Sequence, residues 1–515
     1  MLAAQPRTET AAADGPRPDE RPAGRASRLL GGALVVLLGV LLVEVLFETW
    51  IQTLLATPVE DAKGNLIADG PDWPKQLKNA LYLTLLAVTI VKVAVDRRWR
   101  DFRRPADLAV IVLGLVIVAA GLAGDSPIRL IAEAGYVYLR GVIVFYAWRA
   151  ADPDRRQTRA VLGVVAGIVA INAGLAIWQT VAGPSTYEDL GWINMTWARI
   201  NRAHALLDHP NHLGHFLALA MLGLLAWLVA RKRDRAWRWW LIFGLLALAL
   251  SATQSRESTL GFVAGAGLIC LLRRGRWLAG TAAVTLVVGF AGAQLAISPD
   301  NRAELVRRLA GVTSALNLPS GAEQDGFCVE GNEGCDAEAG NQIPQREVRV
   351  LYAQQGVELW LKRPILGYGV GQFGGIVAYQ ADPLWYQDTR FGPEGFRLYG
   401  SNEKQVDSFW LHLLVETGTL GVLAYLAWLI LLIGPILRAV WRRRGSDVHP
   451  FGYWAPAVLL FAVLVACLAP SLEDPLFPAQ LFTVLGLAWV WLRRGQLVSE
   501  GPVSAGPVAE GKDSD

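Results

Sequence analysis

The sequence predicts an all-helical polytopic membrane protein of about twelve transmembrane helices, with one large extracytoplasmic loop between spans 9 and 10. Three observations predict it. Hydrophobic residues make up 53% of the 515 and charged residues only 18%, whereas a soluble domain carries about 25% charged residues. The apolar residues fall into runs long enough to cross a bilayer core of roughly 30 Å. Short arginine clusters separate these runs, always on the same side.

Taken in order, the runs place spans at 29–48, 77–95, 106–124, 130–148, 160–181, 211–230, 237–254, 259–272, 277–297, 409–434, 452–470 and 479–492. The basic clusters lie at Arg97–Arg104, Arg155–Arg159, Arg231–Arg235, Arg273–Arg276, Arg442–Arg444 and Arg493–Arg494. All fall on the N-terminal side of the membrane, which makes that side cytoplasmic and puts both termini inside. The net charge of +3 carries little information; the distribution carries it. Residues 1–28 lack the apolar core and small-residue site of a cleaved signal and read as a cytoplasmic tail, as do residues 496–515. The chain divides into tail 1–28, spans 1–9 over 29–297, the external loop 298–408, spans 10–12 over 409–495, and tail 496–515.

The external loop, at about 110 residues, is far longer than an ordinary connection. Within it Cys328 and Cys335 are either bonded to each other or two free thiols; Cys270 and Cys467 sit in apolar spans and are expected to serve packing. Gly369, Gly371 and Gly374 spell G-x-G-x-x-G, but they follow a helix outside the cell rather than a strand of a βαβ unit. A Gly-rich turn at the membrane surface is the better reading than a dinucleotide site.

Short external loops are poor in basic residues, so Arg199, Arg202 and Arg256 stand out. Arginine forks on one face suit an anion, since guanidinium matches phosphate geometry. On the same face "NRAHALLDHPNHLGHF" holds His204, His209, His212 and His215. Asp208 or His209 is placed to cap a helix with Pro210 in its first turn. The i, i+3, i+6 histidine spacing fits a polar lining or packing better than zinc, so no metal is expected. Asp407 and Ser408 are natural caps for span 10. Glu416 inside that span, and Glu133 and Arg140 seven residues apart in span 4, are functional candidates by depth. Trp385, Tyr386, Phe391, Phe396 and Tyr399 offer amphipathic faces for sugars or pack the loop.

Four pieces, in order, carry a resemblance: "RAHALLDHPNHLG", "SATQSRESTLG", "REVRVLYAQQGVELWLKRPILGYGVGQF" and "DSFWLHLLVETGTLG". Together, across roughly 200–425, the chain resembles the O-antigen ligase and O-antigen polymerase family of bacterial membrane glycosyltransferases, with a C-type glycosyltransferase-like fold. The resemblance implies transfer of a glycan from a polyprenyl (undecaprenyl) diphosphate carrier, on the outer face of the cytoplasmic membrane, in polysaccharide assembly. It implies no metal, cofactor or nucleic-acid partner; the acceptor is a glycan, lipid or protein. Arg202, Arg256 and Arg349 would hold the diphosphate, supported by Asn211, Glu257, Glu416 and His209. Asp407 would activate the acceptor hydroxyl. Ligases of the family carry His-Asn or His-Ser where this chain has Asp407-Ser408, which separates polymerase-like from ligase-like members. The alternative from another class is a transporter or flippase for an anionic lipid or lipid-linked glycan. It would want internal repeats, and the sequence shows none.

Overall fold

The computed structural model describes residues 24–60, 66–230, 237–273, 348–399, 404–442 and 448–497. Apolar runs and local stop signals together set the helices. The first, α1 (Arg25–Leu54), ends at a β-hairpin, β1 (Thr57–Glu60) with β2 (Leu66–Asp69), paired antiparallel with Thr57 opposite Asp69. Nothing in the sequence pattern pointed to this hairpin. The chain returns through α2 (Trp73–Val95), then α3 (Pro105–Ala123), α4 (Ile128–Ala151) and α5 (Arg155–Ala182). The start of α3 is fixed by Pro105 in its first turn and by the Asp107 carboxylate, which accepts from the Arg104 N–H at 2.9 Å. At α5, Asp154 and Gln157 cap each other's backbone at 2.7 and 3.0 Å.

Two short helices, α6 (Ser185–Asp189) and α7 (Thr196–Arg199), lead to α8 (Pro210–Ala230), α9 (Trp237–Ala252) and α10 (Arg256–Arg273). Beyond residue 347 come α11 (Val348–Lys362), the short α12 (Ile376–Ala381), α13 (Phe409–Arg442), α14 (Pro450–Val465) and α15 (Leu476–Arg493). Helix α13 packs along α3, α15 along α4, α10 along α14, and α1 along α2.

Eight of these helices, α1–α5, α8, α13 and α15, are long and apolar enough to cross a membrane; α9 and α14 are apolar but shorter. The molecule is a multi-pass membrane protein. Expected span 8 is the helix α10, which carries Arg256 and Glu257 in its first turn and so falls short of a plain apolar span. Expected span 9, 277–297, and Cys328 and Cys335 lie outside the described residues, as do most of both expected tails. Helix α1 already begins at Arg25, inside the expected tail.

The buried interior is apolar and aromatic, with Trp148, Trp428, Tyr82 and Phe145 fully enclosed. Leu83, Ile111, Leu115, Val164 and Ile430 remain exposed on the helix flanks, as surfaces facing lipid do. At one end of the bundle, Arg493 meets Asp101 at 3.1 Å, Arg494 meets Asp152 at 2.7 Å, and Arg149 meets Asp107. The opposite end gathers the hairpin, the histidine segment, the loop before α13 and the α14–α15 turn.

Candidate active site

Each histidine of the segment has its own structural partner. The His204 ring contacts the Leu207 carbonyl at 2.5 Å, and the N–H groups of His204 and Ala205 donate to Gln179 Oε1 at 3.1 and 2.8 Å. Burial pushes His204 down to about 4, with the Leu207 contact opposing it. His209 Nδ1 accepts from the Asn211 N–H at 3.0 Å and caps α8. Burial, reinforced by neighbouring His212, holds His209 well below the usual imidazole value. His212 stands between Asp208 at 2.6 Å and Asp474 at 3.0 Å. Burial alone would raise both carboxyls, but His212 beside them holds each below the ordinary aspartate range. His215, on the α8 face turned to α10, meets Glu257 at 3.1 Å. That crossing is close: a Cβ on Gly214 would stand 2.6 Å from the Ser258 hydroxyl. Among the described residues, no group of three or more His, Cys, Asp or Glu side chains is arranged to hold a metal ion.

Arg202 is fixed between two elements. Its Nε–H donates to the Thr253 carbonyl at 3.1 Å and its Nη2 to Asn211 Oδ1 at 2.9 Å, with the guanidinium over the Trp197 ring at 5.1 Å. The turn after α9 and the first turn of α8 thus share one arginine. Arg256 and Glu257 open α10 directly after that turn.

Helix α13 is two helices joined at a break, where Gly418 has φ 64°. A break leaves carbonyls unpaired before it and N–H groups unpaired after it, and in a membrane these must find partners. The Gly-rich turn supplies them. Tyr368 and Gly369 N–H donate to the Val415 and Glu416 carbonyls at 2.9 and 3.0 Å, and Thr419 and Leu420 N–H donate to the Pro364 and Ile365 carbonyls at 2.8 and 3.3 Å. "RPILGYGVGQFGG" and "LVETGTLG" are therefore the two halves of one joint. The Glu416 carboxylate completes it: Oε1 accepts from the Gln372 and Phe373 N–H groups, both at 2.9 Å, and Oε2 accepts from the Tyr138 hydroxyl at 2.6 Å. Glu416 thus ties the Gly-rich turn and Tyr138 to α13, which accounts for a carboxylate at this depth. Glu473 acts similarly on the next turn, meeting His412 at 2.5 Å and accepting from the Ile376 N–H at 3.1 Å.

This joint brings α11 and the start of α13 together at the same end. Arg349 donates to Asp407 Oδ2 from Nε at 3.0 Å and from Nη2 at 2.8 Å. Ser408, not Asp407, caps α13, its hydroxyl accepting from the Leu411 N–H at 3.3 Å, which leaves Asp407 to the arginine. Burial raises the Asp407 carboxyl above the usual value; Arg349 and His412 pull it down and Glu257 pushes it up. Glu257 is thus an electrostatic neighbour of Asp407 across the helices.

Fold and site define a helical membrane protein with an arginine-and-carboxylate centre gathered at one end of its bundle. Residues 241–426, from α9 through the break in α13, match the family model described as O-antigen ligase. Over those residues the chain is similar to that family, which points to membrane glycan transfer in polysaccharide assembly. A comparison with curated proteins finds no match.

The geometry also decides three points the sequence raised. Glu133 pairs with Arg129 at 2.7 Å on the surface, while Arg140 is buried, so the two do not act together. Trp385, Phe391 and Phe396 are buried in one aromatic cluster with Phe373 and Tyr352, as packing rather than a sugar platform. Cys467 is exposed instead of packed. Glu473 and Asp474 went unnoticed in the sequence. Adjacent acids in the turn between two apolar runs were the available signal.

Proposed function

We propose that the protein transfers a glycan from a polyprenyl diphosphate carrier to an acceptor hydroxyl at the outer face of the cytoplasmic membrane. The observation that carries this reading is the Asp407–Arg349 pair beside the start of α10, within the matched domain. Both arginine contacts go to Oδ2, so Oδ1 is the atom that takes the acceptor proton. The acceptor oxygen then bonds to the anomeric carbon. The bond from that carbon to the carrier diphosphate breaks on the opposite side, and the diphosphate leaves with the electron pair, inverting the centre. Fixed guanidinium groups at Arg202, Arg256 and Arg349 stabilise the charge developing on the leaving group. Asp407 in place of histidine favours a polymerase, whose acceptor is a second lipid-linked glycan, over a ligase.

The test is purified protein with a synthetic polyprenyl-diphosphate glycan. Product formation with release of the carrier diphosphate, unaffected by chelator, is expected, and product length distinguishes chain growth from single transfer. Movement of intact donor across vesicles without product would establish transport instead.

A further inference from the structure

Residues of α1, α2 and α5 line a cavity of about 760 Å³, within the range of small-ligand sites. Its wall is apolar, formed by Gly32, Val36, Gly39, Leu77, Val161 and Val164 among others. Val36 and Val164 are exposed, so the cavity opens sideways, where acyl chains lie. Among the described residues, neither Gly32 nor Gly39 has any atom within 4 Å of where a Cβ would stand, and no described helix closes this face of α1.

One end of the cavity is polar. Glu44 and Glu48 both line it. Glu48 is engaged by Lys78, whose ammonium donates to its two oxygens at 2.8 and 2.7 Å. Glu44 is only 9% exposed, and neither of its carboxylate oxygens has a partner among the described residues. A buried carboxylate without a donor is costly, and inside a membrane it marks a binding function by default. Lys78 already neutralises Glu48, so the Glu44 carboxyl is the group left to a ligand; an ammonium with N–H donors would hold it ionised, whereas a diphosphate or other anionic head would not. Twelve residues of helix separate Gly32 from Glu44, about 18 Å, or roughly one leaflet of the hydrocarbon core.

We propose that this cavity binds one aminophospholipid, with its primary ammonium on Glu44 and one acyl chain along α1 towards Gly32. The inference does not rest on the proposed glycan transfer.

The experiment is native mass spectrometry of the purified full-length chain. Phosphatidylethanolamine, phosphatidylcholine and phosphatidylglycerol with identical acyl chains are added in turn. A single phosphatidylethanolamine adduct is expected, retained about tenfold more tightly than phosphatidylcholine, which lacks N–H donors. Glu44→Gln should abolish that preference, and Gly39→Phe, which fills the open space, should weaken retention of all three lipids. Equal retention of the three lipids by the parent chain overturns the proposal, as does an undiminished preference in Glu44→Gln. Unchanged retention in Gly39→Phe removes the acyl chain from the cavity. If Gly39→Phe cannot be recovered folded, the near-isosteric Glu44→Gln decides the matter.

Discussion

The pairing of Asp407 with Arg349 sets the behaviour of both residues. Asp407→Asn keeps the size of the side chain, and Ser408 continues to cap α13, so the variant should fold with an unchanged melting temperature while turnover collapses. An active Asn variant would remove Asp407 as the base. Arg349→Ala should cost about 10²-fold or more in turnover, with lysine restoring only part because the fork is lost. The pH profile gives a sharper reading. Burial lifts the Asp407 carboxyl and Arg349 restrains it, so the acid limb of kcat/KM should lie above the ordinary aspartate value. Removing the cation should move that limb to still higher pH. A limb that stays in place in Arg349→Ala belongs to some other group. Asp407 and the arginines were legible in the sequence because charged residues are conspicuous beside apolar runs. Which partner each would take was not, since Arg349 and Asp407 lie 58 positions apart and only the joint in α13 brings them together.

At the scale of elements, the break in α13 is the feature that holds the site. A Cβ on Gly418 would stand 2.4 Å from the Ile365 carbonyl, and one on Gly367 would stand 2.4 Å from the Val415 carbonyl, both at positive φ. Gly418→Ala should therefore destabilise the protein by about 1–3 kcal/mol, read as a lower melting temperature in detergent. Glu416→Gln should lower the melting temperature as well, because an amide cannot accept as the carboxylate does from two N–H groups and a hydroxyl. The folded fraction of that variant should retain transfer. Lost transfer at an unchanged melting temperature would return Glu416 to the chemistry. Most helices were legible as apolar runs, with Pro210 marking the start of α8. The break was not legible, because glycine inside an apolar run is ordinary in membrane helices. The same holds for the hairpin β1–β2, whose four-residue strands give too little alternation to register.

For the whole molecule, the charge pattern and the described geometry agree on which turns share an end. Arg493, Arg494, Asp101 and Asp152 meet at one end, while Arg202, Glu257, Arg349, Asp407 and Asp474 occupy the other. The positive-inside bias expects the arginine-rich first end to be the inner one. Proposed transfer from an external carrier requires this orientation, so it can be tested without measuring activity. Arg103, at the arginine-rich end, and Glu394, in the segment before α13, are both exposed. Each is replaced singly by cysteine in a chain whose Cys270, Cys328, Cys335 and Cys467 have been changed to serine. In intact cells, or spheroplasts where an outer membrane intervenes, a membrane-impermeant maleimide should label Glu394→Cys at once. It should label Arg103→Cys only after the membrane is opened. The reverse pattern would put Asp407 and the arginine centre in the cytoplasm, away from an externally presented carrier, and the proposed reaction would fall with it.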